Sequence, residues 1–303
     1  MHTIILAAFF EFSRTPVSMC SAGILLFLIA LWAAKGDFAR ARGLDKIVAL
    51  SNLCFAVPLA VFGALHLSDV GSVLPIVPSY MPWRLFWAYF VGCALLAASL
   101  SIATKIQVRW SGLLFGIMMF LFVAMLMVPG ALANPRNRIA WTLVFRESSF
   151  GSGAWILAGR ALREQGRGQI GNRFITVGRM VIAIAAMFYG VEHFLHPANV
   201  PGVPLEKLMP AWIPGHRLIS YLTGAILVIA GVSILRGKKT RMAATYLGTW
   251  IVLLVLFIYG PILIASLADP NTGVKIEGIN YFADTLLFAG AILALASATP
   301  RTD

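Results

Sequence analysis

Long runs of apolar residues, each bounded by a short polar connector, recur along the chain. A helix of roughly 20 apolar residues is enough to cross the hydrocarbon core of a bilayer. Nine such runs are present, at 17–34, 47–67, 85–104, 110–132, 139–161, 174–196, 218–235, 242–267 and 280–298. The pattern predicts an all-α integral membrane protein with nine crossing helices. The fifth run is the weakest, because Arg146 and Glu147 interrupt it.

Composition agrees with the pattern. The chain is 59% hydrophobic and only 12% charged, against about 25% charged residues in a soluble domain. The net charge of +12 raises nucleic acid as a partner, and its distribution removes that reading. Sixteen of the 24 basic residues sit on alternate connectors and at the C-terminus, including Lys35, Arg40, Arg42, Lys46, Lys105, Arg109, Arg241 and Arg301. That alternation is the positive-inside pattern, and it marks the sixteen-charge face as cytoplasmic. The expected topology places the N-terminus outside and the C-terminus in the cytoplasm, in a bacterial inner membrane. The first run is expected to be retained rather than cleaved, since Glu11 and a single Arg14 precede it while the residues after it are strongly positive; a start at Met19 is the alternative. Cys20, Cys54 and Cys93 form no CxxC pair and read as small buried hydrophobes, which argues against thiol–disulfide chemistry.

The chain also contains itself twice. "FGALH" at 62–66 matches "YGVEH" at 189–193, an offset of 127. Beyond a connector five residues longer in the second copy, "PSYMPWRLFWAYFVG" at 78–92 aligns with "PAWIPGHRLISYLTG" at 210–224, an offset of 132. At that offset Arg109 falls on Arg241, Gly116 on Gly248, Pro129 on Pro261 and Phe150 on Phe282. The division that follows is an N-terminal transmembrane helix with a basic linker at 1–43, a first four-helix unit at 44–165 and a second at 166–303. Four crossings per unit give both units the same orientation, so these are parallel repeats. The small residues Gly112 and Gly116, matched by Ala244 and Gly248, offer a face for close helix packing.

The second unit resembles the DoxX-like family of four-helix integral membrane proteins, through Gly190, His193, Phe194 and Pro197, then "PAWIP" and Tyr221-x-x-Gly224. The first unit resembles it more weakly, keeping Gly63, His66, "PSYMP", Tyr89 and Gly92. The resemblance implies two parallel DoxX-like bundles preceded by one extra helix. It also implies a link to quinone-dependent oxidation of sulfur compounds as a subunit of a larger enzyme, an association that only some family members carry.

The candidate site lies in the second unit. Glu192 and Asp284 are carboxylates inside apolar runs, and intramembrane acids are functional candidates that usually face the bundle interior. Glu192 has Leu65 as its counterpart in the first unit, and Asp284 has Ser152. With His193, Trp212, Tyr221, Tyr259 and Asn280, and with His66 as the repeated partner of His193, they form the candidate ligand-binding set. A carboxylate, an imidazole and phenols around an apolar cavity suit a quinone head group, the histidine or tyrosine donating to a carbonyl and the acid handling a proton. His66, Asp69, His193 and His196 have ligand types for Zn²⁺ or Fe²⁺, but the order Glu-His-x-x-His is no standard metalloprotease motif and a helix ending at Pro197 would leave His196 at its wet end. Haem is not expected from one histidine pair at a single depth. The expected partners are the lipid bilayer, a quinone or other small apolar ligand, and a partner subunit. The alternative function is a non-enzymatic partner subunit or small-molecule carrier.

Overall fold

A peptide group facing hydrocarbon finds no water to bond, so each apolar run has to satisfy its own backbone, and a helix does so within the segment. The computed structural model describes residues 14–300; Glu11 and Arg301 lie outside the described residues. Nine long helices follow one another: α1 Arg14–Arg40, α2 Ser51–Ser68, α3 Arg84–Thr104, α4 Val108–Ala133, α5 Arg138–Glu164, α6 Gly168–Leu195, α7 His216–Leu235, α8 Thr240–Ala268 and α9 Thr272–Ala298. Eight of them are long and apolar enough to cross a membrane. The ninth, α5, has the length at 27 residues but carries Arg146 and Glu147 within it. The described residues are those of an all-α integral membrane protein.

Three helices reach well beyond their apolar runs, α1 by six residues at its C-terminal end. Helix α9 starts at Thr272, where the Asn271 side chain accepts from the Gly273 N–H at 2.8 Å, an N-cap that satisfies one orphan donor. Helix α6 starts at Gly168. As a result Asp284, four residues into its apolar run, stands about 18 Å along α9 at 1.5 Å per residue, near mid-helix.

Helices α2 and α9 are buried along most of their length, while α1, α3, α4 and α8 keep broad faces outward. α9 packs against α2, α5 and α8, and α5 against α4, α6 and α9. The α4–α5 contact is made by small residues: a Cβ on Gly112 would lie 2.6 Å from the Ala154 carbonyl, and one on Gly116 3.0 Å from that of Gly151. α1 lies on α2 and α3, with Leu25, Leu28 and Trp32 exposed on its other side.

Several backbone features recur 132 residues apart. Left-handed backbone occurs at Trp83 and Gly215, at Lys105 and Gly237, and at Gln107 and Lys239. A π-helical turn occurs at Val123–Met127 in α4 and at Val255–Tyr259 in α8. Each π turn precedes a proline, Pro129 or Pro261. A proline ring cannot donate to the preceding turn and collides with it, and a wider turn relieves both problems. Toward the last helix of each half the spacing lengthens: the N-caps Asn137 and Asn271 stand 134 apart.

The connectors at the end opposite the basic face differ. Residues 69–83 form a short helix, Val70–Val73, and a 3₁₀ turn, and lie mostly open. In residues 196–215 the segment 199–205 instead turns inward and is buried without a break, while 206–208, 211–212 and 214–215 stay exposed.

Candidate functional site

Non-helical backbone at membrane depth survives only where its polar groups are answered by protein. The inward loop meets that demand with side chains from three helices. His193 on α6 bonds through Nδ1 to the Tyr189 carbonyl at 2.6 Å, and its Nε2 accepts the Gly202 N–H at 2.9 Å. Thr285 on α9 donates to the Val203 carbonyl at 2.9 Å, and Arg138 on α5 donates to that of Leu205 at 3.0 Å. Within the loop, Asn199 donates to the Leu205 and Glu206 carbonyls at 2.9 and 3.2 Å. Gly202 has φ 126°, and a Cβ there would stand 3.0 Å from the Tyr259 hydroxyl. Only glycine adopts that backbone freely, and only glycine leaves room for the phenol.

Beneath the loop lies a buried ion cluster. Arg146 on α5 donates from Nη1 to Asp284 Oδ2 at 2.7 Å. Its Nε and Nη2 donate to Glu147 Oε1 at 3.0 and 2.6 Å. Tyr189, fully buried, donates its hydroxyl to the Thr142 carbonyl at 2.6 Å. One turn above, Glu192 Oε2 stands 3.6 Å from both Arg138 and His196. That oxygen is buried and has no hydrogen-bond partner among the described residues, as is true of Asn280 Oδ1. Three carboxylates, Glu147, Glu192 and Asp284, thus face two guanidinium groups, Arg138 and Arg146. An isolated buried charge is costly, and pairing with hydrogen bonding is what makes it tolerable.

The expected candidates divide accordingly. Glu192, His193, Tyr259 and Asp284 are buried and share this region. Asn280 sits one turn before Asp284 on α9, on the same helix face. Trp212 and Tyr221 point outward, at 56% and 43% exposure, Tyr221 stacked on Phe194. His66 is half-buried and bonds through Nδ1 to the Phe62 carbonyl at 2.8 Å. Asp69 caps Val70–Val73 by accepting from the Ser72 N–H, and His196 closes α6. No three His, Cys, Asp or Glu side chains among the described residues are placed to hold a metal ion. Both ring nitrogens of His193 are engaged by backbone, which leaves neither for haem iron.

Sequence reasoning passed over Arg138, Arg146, Glu147, Thr285 and Gly202. The available signal was the charged pair inside the fifth run. Intramembrane charges tend to pair within the bundle, and Arg146 and Glu147 do so with each other and with Asp284.

A groove of about 90 Å³ opens beside the loop, lined by Val200, Leu208, Tyr259, Ile262, Gly278 and Tyr281 among others. At its rim Lys207 pairs with Glu277 at 2.8 Å, and the hydrogen bond to that carboxylate raises the lysine pKa above its ordinary value. Tyr281 donates to Glu206 at 2.9 Å. No family model, curated protein or solved structure matches the chain.

Proposed function

We propose that this chain is a DoxX-like membrane subunit that binds a quinone, or a similarly shaped small apolar molecule, in its second four-helix unit, and that it serves membrane redox chemistry completed by a partner protein. The observation that carries this reading is the groove that Tyr259 helps to line, with the Arg146–Glu147–Asp284 cluster buried in the same region. A groove of about 90 Å³ holds part of a ring-sized head group, leaving the rest and an isoprenoid tail to the surrounding lipid. Tyr259 would donate to a ring carbonyl, and the carboxylate in excess over the arginines would handle a proton. Electrons exchanged with the quinone would pass to the partner protein.

Support for two tandem units comes from the left-handed residues and π turns that recur at one spacing. The alternation of basic connectors supports an inner-membrane protein with its N-terminus outside and its C-terminus in the cytoplasm.

The test is to extract lipid-purified protein for bound quinone and to titrate it, in nanodiscs, with a short-chain ubiquinone or menaquinone analogue. The reading expects a retained or saturable quinone, with Tyr259→Phe weakening binding about tenfold, the loss of roughly one hydrogen bond to a desolvated group. If no quinone is retained or bound, the reading is overturned.

A further inference from the structure

We propose that the opposite, basic end of the bundle holds a binding site for a phosphate group, separate from the groove beside Tyr259. A cavity of about 370 Å³ opens where α1, α3, α5 and α9 end and α2 and α8 begin. Four cations line it, Arg40, Lys105, Arg160 and Arg241, with two carboxylates, Asp37 and Asp45. Both carboxylates are already engaged. Asp37 pairs with Arg40 at 2.7 Å and with Lys105, and Asp45 pairs with Arg241 at 2.6 Å. Arg160 pairs in turn with Glu164, at 3.0 Å just outside the lining, so the four cations exceed the carboxylates paired with them by one positive charge.

The four cations play different parts. Arg241 is a fixed wall, since its Nη1 also donates to the Ala296 and Thr299 carbonyls at the end of α9. Arg160 donates from Nε to Glu164 and from Nη1 to Ser297, which leaves Nη2. Arg40 uses Nε on the Gly36 carbonyl and Nη2 on Asp37, which leaves Nη1. Arg40, on the last turn of α1, is largely exposed, while Lys105 and Arg160 are each 33% exposed, so all three can reorient onto an incoming anion. Guanidinium forks match phosphate oxygens in geometry as well as charge, and the cavity is within the size range of small-molecule sites.

Two sources could supply the phosphate, an anionic phospholipid head group or a water-soluble phosphate ester. The cavity lies where apolar helices end, the level at which basic clusters meet lipid phosphates. Trp32, 70% exposed and capped by Lys35 at 5.2 Å, suits that interface.

The test uses the full chain in detergent, probed by native mass spectrometry with phosphatidylglycerol and, separately, with inorganic phosphate as binder and competitor. The variant is Arg40→Gln with Arg160→Gln. The control, Arg236→Gln with Lys238→Gln, removes the same charge from the α7–α8 turn outside the cavity. The proposal expects retained phosphatidylglycerol to fall at least tenfold in the variant and less than twofold in the control. Displacement of the lipid by phosphate assigns the site to the shared phosphate chemistry. Binding of phosphate without the lipid assigns it to a soluble ester. A wild-type measurement stands beside the variants in case one fails to fold: phosphate, but not chloride at equal ionic strength, should raise the unfolding midpoint. Equal retention in wild type and variant, an equal loss in variant and control, or no response of the wild type to either probe overturns the proposal.

Discussion

The α2–α3 and α6–α7 hairpins use the same local chemistry and arrive at different ends. In each, two glycines bring the helices together: a Cβ on Gly63 would stand 3.0 Å from the Gly92 carbonyl, and one on Gly190 2.9 Å from that of Gly224. In each, a histidine bonds through Nδ1 to the carbonyl four residues back, His66 to Phe62 and His193 to Tyr189. The connector above them separates the two. The first lies mostly open, and His66 keeps a partly exposed ring. The second is five residues longer and folds inward, so that His193 becomes the acceptor for a buried N–H. A repeated residue therefore need not have a repeated role. The helix pair fixes where the imidazole is, and the connector decides what it does.

The largest expected effect lies in the ion cluster, which enters the second hairpin's surroundings alone. Arg146→Ala strands Glu147 and Asp284 in the interior and should cost about 3–5 kcal/mol, read as a lower unfolding midpoint in detergent. Adding Glu147→Gln and Asp284→Asn should recover a good part of the loss; no recovery would mean that Arg146 acts by packing rather than by charge.

The glycine crossings should break alike. Gly63→Leu and Gly190→Leu each force a side chain into facing backbone and should destabilise by about 1–3 kcal/mol. A large difference between the two would show that the hairpins do not share one packing mode.

The histidines should break differently. His193→Ala leaves the Gly202 N–H buried without a partner, at about 1–3 kcal/mol. His66→Ala loses one partly exposed bond and should stay near 1 kcal/mol or below. Limited proteolysis sharpens the contrast, with cleavage at 197–213 increasing in His193→Ala while the connector at 69–83 is unchanged in His66→Ala.

The smallest effect concerns the left-handed turns that open α3 and α7. Gly215 has φ 68°, and Gly215→Ala should cost about 1 kcal/mol. Trp83 already holds the same conformation with a side chain and is 78% exposed, so Trp83→Ala should change stability by less than about 0.5 kcal/mol.

Much of the framework is legible along the chain because hydrocarbon allows few alternatives. Each run of about 20 apolar residues becomes a helix, and the connectors fall where Gly, Pro and Arg cluster. Helix ends are less legible: α9 begins eight residues before its apolar run, since Lys275 and Glu277 make a capped extension read as connector. Asp284, near the start of its apolar run, therefore lies at mid-helix. Of the candidate residues, Glu192, His193, Tyr259 and Asp284 are gathered in one buried region, whereas Trp212 and Tyr221 face outward. Aromatic type and approximate depth do not encode the direction around a helix.

The sequence by itself determined the class of molecule, the helix count and the residues worth suspecting, because hydrophobicity and charge act through composition over a single segment. Only the tertiary structure decided the partners. Arg146 and Asp284 are 138 positions apart, and Thr285 meets Val203 across 82. Pairings of that kind depend on how helices turn toward one another and on a loop folding inward, and no periodicity along the chain records either.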